Sequence, residues 1–198
     1  MDLRSKTYWI FDLDGTLTVP VHDFRFIRRE LAVPETEDIL AHLDRLPADE
    51  AQKRHARLRG IEEQLARDAR PSPGAHEMLE TLHRNGAHLG ILTRNHRDIA
   101  LLTLDTIGIR RFFADDHVLG RHEAPPKPDP AGIHHLLSLW GATASDSVMV
   151  GDYIHDLQAG RAAGTTTIHV GRPDGMTWLE FTDHAVLSLA EVTYRLSA

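Results

Sequence analysis

Tyr8-Trp9-Ile10-Phe11-Asp12-Leu13-Asp14-Gly15-Thr16 is the stretch on which the fold turns. Four apolar residues without alternation run into two carboxylates and a glycine, which predicts a buried strand ending in a tight turn. Similar runs recur downstream. Leu89-Gly90-Ile91-Leu92 ends in Thr93, Val148-Met149-Val150 ends in Gly151-Asp152, and Thr166-Thr167-Ile168-His169-Val170 ends in Gly171. Strands that are apolar throughout belong in a parallel sheet covered on both faces.

Helical patterns separate these runs. Gly74 to Asn85 carries Met78, Leu79 and Leu82 and closes on Gly86. His96 to Ile107 carries Ile99, Leu102 and Ile107 and closes on Gly108. Pro130 to Trp140 carries Ile133, Leu136, Leu137 and Trp140 and closes on Gly141. A glycine just beyond each pattern fits a left-handed helix cap. Strand alternating with helix implies right-handed crossovers and an α/β, doubly wound parallel sheet. Thr18 to Pro73 breaks the alternation. That stretch holds no strand-like run and reads as helices near Asp23–Leu31, Thr36–Leu46 and Pro47–Arg70, punctuated by Pro34, Pro47, Pro71 and Pro73. The expected organisation is therefore a core of residues 1–17 and 74–198 with a small all-helical insertion at 18–73, after the first strand.

Bulk composition narrows the chemistry. The 198 residues are 41% hydrophobic and 26% charged, enough for an ordinary core. Cysteine is absent, which excludes disulfides, thiolate metal sites and a cysteine nucleophile. A net charge of -7 and the lack of a basic stripe argue against a nucleic-acid partner. The N-terminal apolar run is too short for a signal segment or a membrane span, so the expectation is a cytoplasmic protein without a membrane partner. The 14 histidines are scattered, with no HExxH pair, and do not form a zinc pattern. Nothing in the sequence speaks to oligomeric state.

Ligands of an open parallel sheet bind beyond the carboxyl ends of its strands. Asp12 and Asp14 follow the first strand there, Thr93, Arg94 and Asn95 the second, and Asp152, with Asp156 four residues on, a later one. Lys127 sits in Pro125-Pro126-Lys127-Pro128-Asp129-Pro130, just before a helix. Phosphoryl transfer needs a positioned nucleophile, neutralisation of the phosphoryl oxygens and proton management. A carboxylate serves as such a nucleophile, and Asp12 and Asp152 offer hard oxygens suited to Mg²⁺. The Thr93 hydroxyl, the backbone N–H groups after it and the Lys127 ammonium suit an anion.

Asp12-x-Asp14-Gly15-Thr16, a strand ending in Thr93, Lys127 before a proline, and Gly151-Asp152-x-x-x-Asp156 together resemble the four ordered motifs of the haloacid dehalogenase-like hydrolases. The resemblance spans Tyr8 to about Val170, and the insertion resembles that family's helical cap, in a phosphoglycolate-phosphatase-like form. It implies a phosphatase acting on a small phosphorylated metabolite, with Asp12 as nucleophile and metal ligand. It implies that Asp14 is the general acid and base with its backbone carbonyl on Mg²⁺. Thr93 and Lys127, with Arg94 and Asn95 beside them, would hold the phosphoryl oxygens. Asp152 would bind the metal, and Asp156 would support the metal's surroundings or Lys127. The insertion is shorter than the cap of the family's sugar-phosphate mutases.

The alternatives are a phosphomutase, which returns the phosphoryl group to a second substrate hydroxyl, and a non-catalytic phosphate-binding module, which would have no use for Asp12. A dehalogenase would not need Asp14. A phosphonatase would need a Schiff-base lysine, and Lys53, alone in the insertion, has mostly charged neighbours. Further positions could border the pocket: His22-Asp23 and Arg25, the run Arg54-His55-Ala56-Arg57-Leu58-Arg59, and Gly120-Arg121-His122. Asp115-Asp116 reads as a solvated loop.

Overall fold

A computed structural model of the chain describes residues 2–20, 23–171 and 174–197. Among them six strands form one parallel sheet: β1 (Tyr8–Phe11), β2 (His88–Leu92), β3 (Val118–Leu119), β4 (Ser147–Gly151), β5 (Thr166–Val170) and β6 (His184–Val186). Their spatial order is β3-β2-β1-β4-β5-β6. β1 lies in the middle, hydrogen-bonded on both sides, with Phe11 opposite Ile91 on one neighbour and Val150 on the other.

The unbroken apolar runs are explained by two cores. Trp9 and Phe11 point to one face, where α4 (Ala75–Arg84), α5 (Arg97–Thr106) and α8 (Leu189–Ser197) pack with Met78, Leu79, Leu104 and Val192. Ile10 and Met149 point to the other, against α6 (Ala131–Trp140) and α7 (Ile154–Ala163) through Ile133, Leu136 and Ala159. Successive strand residues face opposite ways, so a strand buried on both faces carries few polar side chains; in β5 the buried Thr167 hydroxyl donates to the Phe181 carbonyl. The doubly wound reading holds. Gly86, Gly108 and Gly141 adopt the left-handed conformation expected of them, with φ of 76°, 72° and 60°.

The insertion is helical. α1 (Phe24–Glu30), α2 (Ile39–Asp44) and α3 (Ala48–Arg67) bury Ile27, Leu31, Leu43, Leu58 and Ile61 in a third apolar cluster of their own. Two of its helices are shorter than the sequence pattern suggests. α2 starts at Ile39 because the Asp38 side chain accepts the Ala41 N–H and caps it. α3 stops at Arg67, and Arg70 accepts the Val19 N–H while Ser72 donates to Leu17. The chain thus leaves and re-enters the α/β layer through one paired passage. No helix among the described residues is long and apolar enough to cross a membrane.

Four elements lie beyond the sequence reading. β3 has two residues, too few for any period to show. β6 is an edge strand of three residues with His184 and Ala185 partly accessible. α7 is built on small residues, Ala159, Gly160 and Ala163, that let it lie close on β4 and β5 and leave little amphipathic pattern. α8 follows the last strand and covers Leu3 and α4.

Candidate active site

β1 and β4 run side by side and end together, so Asp12 and Asp152 emerge at the same sheet edge; Asp12 still donates its N–H to the Val150 carbonyl at 2.9 Å. Both carboxylates are buried. The Lys127 Nζ sits 2.6 Å from Asp12 Oδ1 and 2.7 Å from Asp156 Oδ1. The second Asp156 oxygen accepts the Tyr153 N–H at 3.0 Å, at the start of α7. Asp156 therefore ties the lysine to a helix end. The buried Thr16 hydroxyl lies 3.3 Å from Asp12 Oδ2 and 3.4 Å from Asp152 Oδ1.

The turn after β1 needs its glycine. Gly15 has φ of 89°, and a Cβ there would stand 2.6 Å from Asp152 Oδ2. An L side chain would be strained by conformation and driven into the carboxylate at once. The turn sets Asp14 beside the loop after β2, where Asn95 Nδ2 donates to Asp14 Oδ2 at 2.7 Å. Thr93 is buried, and its hydroxyl accepts the Asn95 N–H at 3.1 Å. α5 begins only at Arg97, so residues 94–96 form a short loop rather than the first helical turn. Arg94 reaches out to Asp38 at 2.6 Å and links the loop to the N-terminus of α2.

Asp12 thus has one lysine and three further carboxylates as its neighbours. Burial pushes the Asp12 carboxyl well above its usual range; Lys127 opposes this, and Asp156, Asp152 and Asp14 reinforce it. Lys127 is held above its usual range, because Asp12 and Asp156 outweigh its burial. Asp12, Asp152 and Asp156 each offer a carboxylate oxygen within 4.8 Å of the others. Hard oxygen donors with surplus negative charge are the donor set that Mg²⁺ takes. The residues fit that ion.

The family model for haloacid dehalogenase-like hydrolases matches residues 28–170. The chain belongs to this family. An uncharacterized hydrolase from Saccharomyces cerevisiae is 29% identical over 92% of the chain and 87% of its own length. Pyrophosphatase PpaX from Bacillus velezensis is 41% identical over 48% of the chain and 44% of its own length. The structure of a predicted phosphoglycolate phosphatase from Haemophilus somnus superposes with a TM-score of 0.73 at 22% identity, covering 96% of this chain and 97% of that one.

In this haloacid dehalogenase-like hydrolase the sheet edge brings together Asp12, Asp14, Thr93, Asn95, Lys127, Asp152 and Asp156, all singled out from sequence. Arg94 stands at the rim with its guanidinium on Asp38. Thr16, which lies between Asp12 and Asp152, and Glu62 are not singled out by the sequence. The signal for Thr16 is a hydroxyl four residues after Asp12 in the motif. Glu62 was lost in the charged α3. It is buried and forms an ion pair with Arg121. Arg25 is exposed on α1, His22 lies outside the described residues, and in the Arg54–Arg59 run Arg54, Arg57 and Arg59 pair with Glu50, Glu30 and Asp98. Asp115 pairs with Arg110, and both Asp115 and Asp116 are exposed.

Burial raises Glu62 to about 7, against the pull of Arg121 and with help from Asp14. A carboxyl raised in the folded state contributes stability that is full below its ordinary 4.5 and is lost as pH climbs through about 7. Wild type should therefore lose up to about 3 kcal/mol more than Glu62→Gln between pH 5 and pH 8. Denaturant unfolding of both proteins at the two pH values measures the difference. Parallel losses would mean that Glu62 is ionised and satisfied throughout.

Proposed function

We propose that this hydrolase is a Mg²⁺-dependent phosphatase of small phosphomonoesters that works through an aspartyl-phosphate on Asp12. The observation that carries the proposal is a buried Asp12 carboxylate gripped by Lys127 and Thr16, with Asp14 beside it and tethered by Asn95. The pyrophosphatase and phosphoglycolate phosphatase descriptions of its relatives favour phosphoryl transfer to water over dehalogenation.

An oxygen of Asp12 attacks phosphorus and the ester P–O bond breaks. The leaving alkoxide takes the proton of Asp14. Asp14, now a carboxylate, removes a proton from water, and that water's oxygen attacks the same phosphorus. The bond from phosphorus to Asp12 breaks, inorganic phosphate leaves and Asp12 is restored. Lys127 and the Thr93 hydroxyl hold the phosphoryl oxygens, and Asn95 fixes the direction of Asp14. Asp12, Asp152 and the backbone carbonyl of residue 14 would hold Mg²⁺, which offsets the negative charge of the phosphoryl oxygens. Asp156 orients Lys127 through the contact at 2.7 Å. Residues 18–73 act as the cap over the leaving group: this segment leaves the sheet just after Asp14, and α2 contacts the loop after β2 through Asp38 and Arg94.

The test is hydrolysis of p-nitrophenyl phosphate. Turnover is expected with Mg²⁺, none after chelation, and inhibition when Ca²⁺ competes, since calcium takes more oxygens at longer distances and would compete for the Asp12 carboxylate that must attack. Undiminished turnover in chelator would overturn the assignment.

A further inference from the structure

Thr16 is fully buried, and its hydroxyl is used differently from those of the helical threonines. Thr81, Thr103 and Thr106 donate to the carbonyl four residues back, at 2.8, 3.0 and 2.9 Å. That is the ordinary local use of a threonine hydroxyl. Four residues before Thr16 stands Asp12, and there the hydroxyl meets a side chain instead. Oγ1 lies 3.3 Å from Asp12 Oδ2 and 3.4 Å from Asp152 Oδ1. A carboxylate from the end of β1 and one from the end of β4 thus share a single hydroxyl.

The backbone fixes that hydroxyl in place. Gly15 turns the chain with φ of 89°, and the Leu13 carbonyl then accepts both the Leu17 N–H at 2.9 Å and the Thr18 N–H at 3.0 Å. Leu13 and Leu17 are completely buried on either side of the turn. β-Branching leaves the threonine side chain few directions in which to rotate. Its contacts divide the oxygens of Asp12. Oδ1 is with Lys127 at 2.6 Å, and Oδ2 is with Thr16, on the side of Asp152. Both distances at Thr16 exceed the length of about 2.7–2.8 Å of a closed O–H···O bond. One hydroxyl carries one proton, so it can close on either carboxylate and not on both. Without it, two buried carboxylates would face each other with no donor between them, where water screens their repulsion little.

We propose that Thr16 is a positioning residue for the metal site: its hydroxyl keeps Asp12 Oδ2 and Asp152 Oδ1 turned to one point and leaves Asp12 Oδ1, beside Lys127, as the oxygen that attacks. The inference rests on the phosphatase reading, in which Asp12 and Asp152 hold Mg²⁺. That ion demands near-ideal octahedral geometry at short distances, so its affinity depends on how its carboxylates are aimed. Groups that orient a metal's ligands without touching the metal change affinity by about 10–100-fold when removed.

The experiment is thermal unfolding of the substrate-free protein across a series of Mg²⁺ concentrations. An ion that binds only the folded chain stabilises it by mass action, so the series yields a dissociation constant without any turnover. Thr16→Val keeps the shape of the side chain and removes the hydroxyl; Thr16→Ser keeps the hydroxyl and removes the methyl. The valine variant is expected to bind Mg²⁺ at least about tenfold more weakly than wild type, and the serine variant within about threefold of it. The same melting curves, taken in chelator, establish that each variant is folded. Thr16→Ala replaces the valine variant if that one does not fold, with the same expected loss. A folded valine or alanine variant that binds Mg²⁺ as wild type does overturns the inference alone. A serine variant as weak as the valine one overturns it too, because the methyl and not the hydroxyl would then be what matters. If wild type gains no stability from Mg²⁺, the metal assignment of the phosphatase reading falls, and this inference falls with it.

Discussion

Asp12→Asn is expected to abolish turnover and to raise the melting temperature. The amide keeps the shape of the side chain and removes the nucleophile, so the covalent route is closed. Loss of that route should reduce kcat by at least about 10⁴-fold, several kcal/mol of barrier. Lys127 keeps Asp156 as its partner at 2.7 Å, so the lysine is not stranded. The stability effect follows from the sign of the Asp12 shift. Its carboxyl is raised by burial and by three neighbouring carboxylates. Such a group contributes stability at low pH that is lost as pH rises through the raised value. The amide does not titrate, so the variant should gain on wild type as pH rises. In chelator at pH 8 the gain should be about 2–4 °C, the shift that about 1 kcal/mol produces in a chain of this size. At pH 4 it should vanish. Activity within tenfold of wild type would take Asp12 out of the nucleophilic role, and a lower melting temperature at pH 8 would show that the carboxylates are not in conflict.

Asp14→Asn should separate the two halves of the reaction. As an acid, Asp14 protonates the leaving oxygen; as a base, it activates water against the aspartyl-phosphate. Nitrophenolate leaves unaided, so only the second half needs Asp14 when the substrate is an aryl ester. General acid–base assistance is worth about 10²–10⁴-fold. Rapid mixing of the variant with p-nitrophenyl phosphate should therefore give a burst close to one nitrophenolate per active site, then a steady rate lower by that factor. An alkyl phosphate, which needs the proton at once, should give no burst. Intact mass should show the trapped phosphoryl adduct on the variant. Asn95, which donates to Asp14 at 2.7 Å, can turn its amide to meet the new side chain, so the local structure should survive. Burst-free turnover of the aryl ester near the wild-type rate would mean that Asp14 is not the base.

Much of the site was legible because strand ends are legible. Trp9–Phe11, Leu89–Leu92 and Val148–Val150 are buried on both faces, so burial left them no polar residue until the strand stopped. The first polar residues after them are Asp12, Thr93 and Asp152. A parallel sheet sends all its strands the same way, and that gathers those ends at one edge. Lys127 was readable for another reason, as a charge set among prolines ahead of a helix. Glycines beyond α4, α5 and α6 gave their ends, since an L side chain resists φ of 60–76°.

The sequence alone therefore determined the doubly wound core, and it pointed to the acidic groups and the lysine at one edge of the sheet. Tertiary structure alone decided which of these groups touch. No period records that Asp156 grips Lys127 while Asp14 turns to Asn95, because those partners are brought together by the packing of loops far apart in the chain. Nor does it record β3 and β6, which at two and three residues are too short to carry a pattern and exist through the neighbours that pair with them. The Glu62–Arg121 pair lies furthest beyond sequence reading. On α3, Glu62 is one charge among many, and only the docking of that helix over the loop after β3 withdraws it from water and makes it differ from its neighbours.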